Sequence, residues 1–74
     1  MSLKVKSLTG RILIISLFEN MTIKDVKLDI QSYDGIDFTQ IRLIYDGKLL
    51  NDEMVIDENL NGKTIHMVLA LRGG

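Results

Sequence analysis

The sequence predicts an α+β domain in which one helix crosses one face of a mixed five-stranded sheet. Three observations lead there. Several segments alternate apolar and polar residues with the period of two that strands require. A single segment, opening at Thr22, repeats its apolar residues at helical spacing. The order is strand, strand, helix, strand, short strand, strand, and one helix laid across one sheet face is the simplest way to bury both apolar surfaces.

The first strand rests on Met1, Leu3 and Val5 alternating with Ser2, Lys4 and Lys6. Leu8-Thr9-Gly10 forms a hairpin turn, with glycine free to take positive φ. Arg11 to Leu17 is the second strand, with Leu13, Ile15 and Leu17 on one face and Ile12 and Ile14 on the other. Isoleucine on a wet face is unexpected there. Thr22 can accept from a first-turn amide while Asp25 reaches back, as in a capping box. Ile23, Val26 and Ile30 share one helical face, and Gly35 after Asp34 is the stop. Ile41, Leu43 and Tyr45 alternate with Arg42 and Ile44. Asp46-Gly47 turns the chain into a short strand, Lys48 to Leu50. Residues 51–61 read as an irregular connection with one tight turn around Asp57 to Leu60, and Asn61-Gly62 is a further turn signal. Thr64 to Leu69 closes the sheet, with Ile65, Met67 and Leu69 on one face and His66 and Val68 on the other.

Composition bounds the function. A chain of 74 residues is one small domain and buries only roughly 60% of its unfolded surface. The 46% hydrophobic content can supply the tight core this demands. The chain has no cysteine, so disulfides, thiolate metal sites and cysteine nucleophiles are excluded. A cytosolic and nuclear address suits that composition. A net charge of −1 gives no general pull toward nucleic acid or anionic membrane. No apolar run reaches a membrane span, and no signal-peptide stretch opens the chain. His66, the one histidine, has apolar and basic neighbours and reads as a contact residue rather than a metal ligand. With neither a nucleophile nor a base constellation, the chain reads as a non-enzyme.

The last residues carry the strongest functional signal. Ala70 is followed by Leu71-Arg72-Gly73-Gly74. Two glycines after a strand give an unhindered stalk that can thread a channel too narrow for side chains. That shape suits a terminal carboxylate, on Gly74, handed to another protein's active site. Residues 1–69 form the domain in this reading and residues 70–74 the flexible tail.

Strand parity points Ile44, His66 and Val68 away from the helix, with Leu8 nearby on the hairpin tip. Single exposed apolar residues need no explanation. Four converging on one open sheet face mark a partner site, with Lys6, Arg42 and Lys48 as its basic rim. Ile36, Leu69 and Leu71 make a second candidate patch at the root of the tail, with ordinary core-edge packing as the alternative. Ile12 and Ile14 read either as an interface of their own or as plain surface substitution.

The whole chain resembles ubiquitin. The resemblance rests on Val5-Lys6, Leu8-Thr9-Gly10, the acid Asp34 before Gly35-Ile36, Arg42-Leu43-Ile44, Gly47-Lys48, Val68-Leu69 and Leu71-Arg72-Gly73-Gly74. The chain is closer to the neddylation modifier, the Rub branch of the ubiquitin-like family. That branch shares Lys4-Val5-Lys6, Arg42-Leu43-Ile44-Tyr45, Asn51-Asp52-Glu53 and the complete Leu69-Ala70-Leu71-Arg72-Gly73-Gly74 ending. The match is loose over residues 13–19 and 54–63. Two departures stand out. Proline is absent from this chain, whereas ubiquitin has prolines on both sides of its helix. Alignment of His66 also requires a two-residue deletion between Met54 and Lys63. The family's tyrosine in that loop has no counterpart, so the loop must pack differently.

The resemblance implies the β-grasp fold and a small, monomeric protein modifier without a cofactor of its own. An activating enzyme with ATP and magnesium would charge Gly74. A conjugating enzyme and a ligase would pass it to target lysines, typically on cullin scaffolds, and a deconjugating protease would remove it. Leu8, Ile44, His66 and Val68 are then the family's recognition patch, and Ile36, Leu69 and Leu71 its second. Arg72 would meet acidic residues of these enzymes. Ubiquitin has arginine where Ala70 stands, so Ala70 would select the Rub pathway: an arginine buried there without a partner costs several kcal/mol. Lys27 is implied to pair with Asp52 and so to be a poor acceptor, whereas Lys6 and Lys48 occupy chain-forming positions. Arg11, Asp29 and Tyr33 replace three other family lysines, and Lys63 falls elsewhere because of the deletion. The alternatives are a divergent ubiquitin and a non-covalent ubiquitin-like binding module. Target set, precursor trimming and the use of Lys6 or Lys48 lie beyond the sequence.

Overall fold

The computed structural model describes residues 1–70. Five strands are observed: β1 (Ser2–Lys6), β2 (Ile12–Ser16), β3 (Ile41–Tyr45), β4 (Lys48–Leu49) and β5 (Thr64–Leu69). One helix, α1 (Ile23–Asp34), lies between β2 and β3 in the chain, and short 3₁₀ turns span Phe38–Gln40 and Glu58–Leu60. The sheet order is β2-β1-β5-β3-β4. β1 and β5 run parallel, and every other neighbouring pair is antiparallel. This is the β-grasp arrangement expected from the sequence.

Local chemistry explains the boundaries. The β1–β2 turn closes with the Ser7 amide donating to the Arg11 carbonyl at 2.9 Å, and Gly10 takes φ 85°. That left-handed conformation is open to glycine at little cost. Thr22 caps α1 through a capping box: its hydroxyl accepts from the Asp25 amide, and its own amide donates to the Asp25 carboxylate at 2.9 Å. Gly35 ends the helix at φ 72° and donates to the Gln31 carbonyl. The next strands are set by alternation. Ile41 and Leu43 are buried, whereas Arg42 and Ile44 are half-buried on the other face. The short strand ends at Leu49, one residue earlier than expected. Leu50 instead buries its side chain and donates its amide to the Leu43 carbonyl.

The core lies between α1 and the sheet. Leu3, Val5, Ile15, Ile23, Val26, Ile30, Ile41, Leu43 and Ile65 are buried in one cluster with Met21. Leu13 and Leu17 face inward by parity but are only partly buried at its margin.

The shortened connection after β4 packs through Ile56 and Leu60, both buried. Its backbone also completes the helix. The Ile23 amide donates to the Met54 carbonyl and the Lys24 amide to the Asp52 carbonyl, at 3.0 and 2.9 Å. First-turn amides have no partner within their own helix, so this loop supplies what the helix cannot. Asp57 turns the chain by accepting from the Asn59 amide. No helix among the described residues is long and apolar enough to cross a membrane.

Candidate functional site: the open sheet face and the root of the tail

The register assembles the first patch. His66 on β5 lies opposite Ile44 on β3, and on its other side β5 places it beside Lys6 of β1. Val68 lies opposite Arg42. All five point away from α1, because their strand neighbours Val5 on β1, Leu43 on β3, and Ile65 and Met67 on β5 are buried in the core. His66 and Lys6 are exposed, whereas Ile44 and Val68 are half-buried. Leu8, on the β1–β2 turn, is 84% exposed. The sheet thus presents an apolar strip with a cation on either side, as its strand parity predicts.

Leu49 belongs to the same face and sequence reasoning missed it. It pairs with Ile44 and is exposed. The available signal was the hairpin register: two-residue turns at Asp46-Gly47 set Leu49 opposite Ile44 on the same side. Arg42 is less free than a rim cation would be. Its guanidinium donates to the Thr39 carbonyl at 2.9 Å.

The second patch opens beside the first. Leu8, Ile36, Met67, Val68 and Leu69 line a groove of about 500 Å³ between the β1–β2 turn and the loop after α1. Leu8 and Val68 therefore serve both patches, which form one continuous apolar surface. Ile36 is half-buried and packs against the core while lining the groove. Packing and surface roles coexist in that residue. At the groove's rim an Arg11 nitrogen approaches an Asp34 carboxylate oxygen to 2.7 Å, as an ion pair without the alignment of a directed hydrogen bond.

The groove leads to the tail. Ala70 is half-buried, and its amide donates to the Gln40 carbonyl at 2.7 Å. The main chain is thus still tied to the domain at the first residue assigned to the tail. Leu71, Arg72, Gly73 and Gly74 lie outside the described residues.

Among the lysines, Lys6 and Lys48 are exposed. Lys27 is 4% exposed, and its ammonium meets the Asp52 carboxylate. Elsewhere on the surface, Asp37 accepts from both the hydroxyl and the amide of Thr39. Those hydrogen bonds favour the carboxylate and hold its pKa below the ordinary 3.8. Among the described residues, no three His, Asp or Glu side chains gather as a metal ion would require.

Comparison with known proteins places this architecture. Residues 3–72 match the ubiquitin family. The chain is 36% identical over 76 aligned positions to the NEDD8-like protein RUB1 of Saccharomyces cerevisiae, covering 100% of this chain and 99% of that one. It is 40% identical to the NEDD8-like protein RUB3 of Arabidopsis thaliana, covering 100% and 97%. It is also 35% identical over 69 positions to the large proline-rich protein bag6 of Xenopus tropicalis, covering 92% of this chain but 6% of that protein. The chain belongs to the ubiquitin family, and the relatives it matches from end to end include NEDD8- and Rub-like proteins.

Proposed function

We propose that this chain is a covalent protein modifier of the Rub type, joined through the Gly74 carboxylate to target lysines. A carboxylate is a poor electrophile and must first be activated. ATP converts it to an acyl adenylate with release of pyrophosphate. A cysteine thiolate of the activating enzyme then displaces AMP to give a thioester. The acyl group passes to a conjugating enzyme's cysteine and finally to a lysine amine, forming an isopeptide bond and freeing the thiol. The enzymes supply the cysteine nucleophiles and the target supplies the lysine amine. This chain supplies the acyl group and the docking surface formed by Leu8, Ile44, His66 and Val68, continuous with Ile36 and Leu69.

The observation that carries this reading is the Leu69-Ala70-Leu71-Arg72-Gly73-Gly74 sequence on a chain whose full-length relatives include NEDD8- and Rub-like proteins. Ligases of the cullin class are the target class we infer, and Arg72 is assigned to acidic residues of the activating and deconjugating enzymes. Lys6 and Lys48 are the acceptor positions for further modifier copies. The work belongs in the cytoplasm and nucleus, where partner cysteines remain reduced. The test is charging by a Rub-type activating enzyme with ATP. The intact chain should form an adduct that reductant releases. Deletion of Gly74, or Gly73→Val, should abolish the adduct without changing the circular dichroism spectrum. Undiminished charging of the deletion variant would sink the proposal.

One observation favours a second reading. The bag6 relative contains a comparable segment as 6% of a much longer protein, so the same fold also serves as a part of larger chains. A non-covalent binding module would use the Ile44 face and leave Gly74 without a role. The deletion experiment separates the two.

A further inference from the structure

We propose that β2 is a self-pairing edge, along which two copies of this chain join antiparallel with Ile14 opposite Ile14 of the second copy. The sheet order leaves β2 and β4 as its two edges. β4 is two residues long, which itself blunts an edge. β2 is five residues long and lacks the charges and prolines that commonly guard an edge. Residues 12–18 carry no charge, no proline and no glycine.

The hydrogen-bond phase shows what this edge offers. The Ser7 amide bonds the Arg11 carbonyl and the Leu17 amide bonds the Met1 carbonyl. Antiparallel bonding repeats every second residue, so the odd residues of β2 bond to β1. The amides and carbonyls of Ile12, Ile14 and Ser16 then face outward, unused by any strand of the described chain. The side chains agree. Ile12 is 52% and Ile14 65% exposed on the open sheet face, beside Lys6 and Lys4 of β1. Lysine stems can cover them while the ammonium groups stay in water.

A second copy fits this edge better than a general partner does. A two-fold axis through paired strands keeps outer side chains opposite outer side chains, and bonds only the outward residues to one another. With Ile14 at the axis, Ile12 lies opposite Ser16 and all three outward residues of each copy find partners. Leu13, only half-buried in one copy, comes opposite Ile15 on the inner face. Charge selects the antiparallel direction. The uncharged stretch is bracketed by Arg11 at one end and Glu19 at the other. Antiparallel pairing sets Arg11, which already meets Asp34 of its own chain at 2.7 Å, opposite Leu17 with Glu19 one diagonal step beyond, within reach of a long side chain. Parallel pairing would set like charges together. A strand this short buries less than a standard stable interface. Association is therefore weak, and the single copy predominates when dilute.

The test uses the absence of native cysteine. Directly bonded antiparallel residues have Cα atoms about 5.5 Å apart, inside disulfide range. Ile14→Cys should cross-link readily under mild oxidation. Ser16→Cys should not, because its symmetry mate lies four residues along the strand, about 13 Å away. In the unsubstituted chain, amide shifts of residues 12–16 should move as concentration rises from micromolar to millimolar. Ile14→Lys, on an exposed face that leaves folding intact, should weaken that association about tenfold or more by opposing like charges. Equal cross-linking at both positions, spectra independent of concentration, or changes confined to the Ile44 face would each overturn the proposal.

Discussion

Removing either partner of the Lys27–Asp52 pair should not cost the same. Lys27 has 5% of its side chain exposed, and Asp52 has 44%. Asp52→Ala leaves a buried ammonium without a counter-charge, which typically costs about 3–5 kcal/mol. Lys27→Met leaves a carboxylate that water already reaches and fills the vacated volume with an apolar chain. That change should cost about 1 kcal/mol or less. One kcal/mol moves the midpoint of a domain this size by about 4–8 °C. Asp52→Ala should therefore lower it by at least about 12 °C, and Lys27→Met by less than about 8 °C. The double variant should unfold close to Lys27→Met alone, because no stranded charge remains. Thermal unfolding by circular dichroism, with urea titrations for the free energies, reads all three. Equal losses in the two single variants, or a double variant worse than Asp52→Ala, would show that the buried ammonium is not the costly group.

Four further substitutions test the placement of single side chains. Leu43→Ala, in the core, should cost about 2–5 kcal/mol of stability. Ile44→Ala should cost the fold less while weakening a conjugation partner by about 1–2 kcal/mol in calorimetry; equal destabilisation by both would invert the face assignment. Asp37 has a lowered folded pKa, so its contribution is present above the unfolded value of 3.8 and is lost as pH falls through the folded one. The midpoint difference between the unsubstituted chain and Asp37→Asn should therefore hold at neutral pH and vanish under acid; a constant difference would exclude the carboxylate as its source. Ala70→Arg should shift charging from a Rub-type to a ubiquitin-type activating enzyme by tenfold or more, about 1.4 kcal/mol; an unchanged ratio of thioester yields would remove Ala70 as the selector.

The fold was legible because each element obeys a local rule. Thr22 with Asp25, Gly10, Gly35 and the alternation through β3 and β5 require no knowledge of the rest of the chain. The inferred outer positions of Ile44, His66 and Val68 followed from the same parity. What could not be read depends on contacts distant in sequence. The loop after β4 supplies carbonyls to the first turn of α1, and nothing in residues 51–56 announces that. Leu49 escaped notice because its face depends on register across a turn. The fusion of the two patches through Leu8 and Val68 depends on how the β1–β2 turn leans over β5, which strand parity does not set.

The central claim is that this chain is a Rub-type modifier carrying its acyl group on Gly74. The most direct measurement is side-by-side charging by purified activating enzymes of the Rub and ubiquitin branches, with ATP, at matched concentrations. The account predicts a reductant-labile adduct formed well by the first enzyme and poorly by the second. Preference for the ubiquitin enzyme, or an adduct with neither, would contradict it.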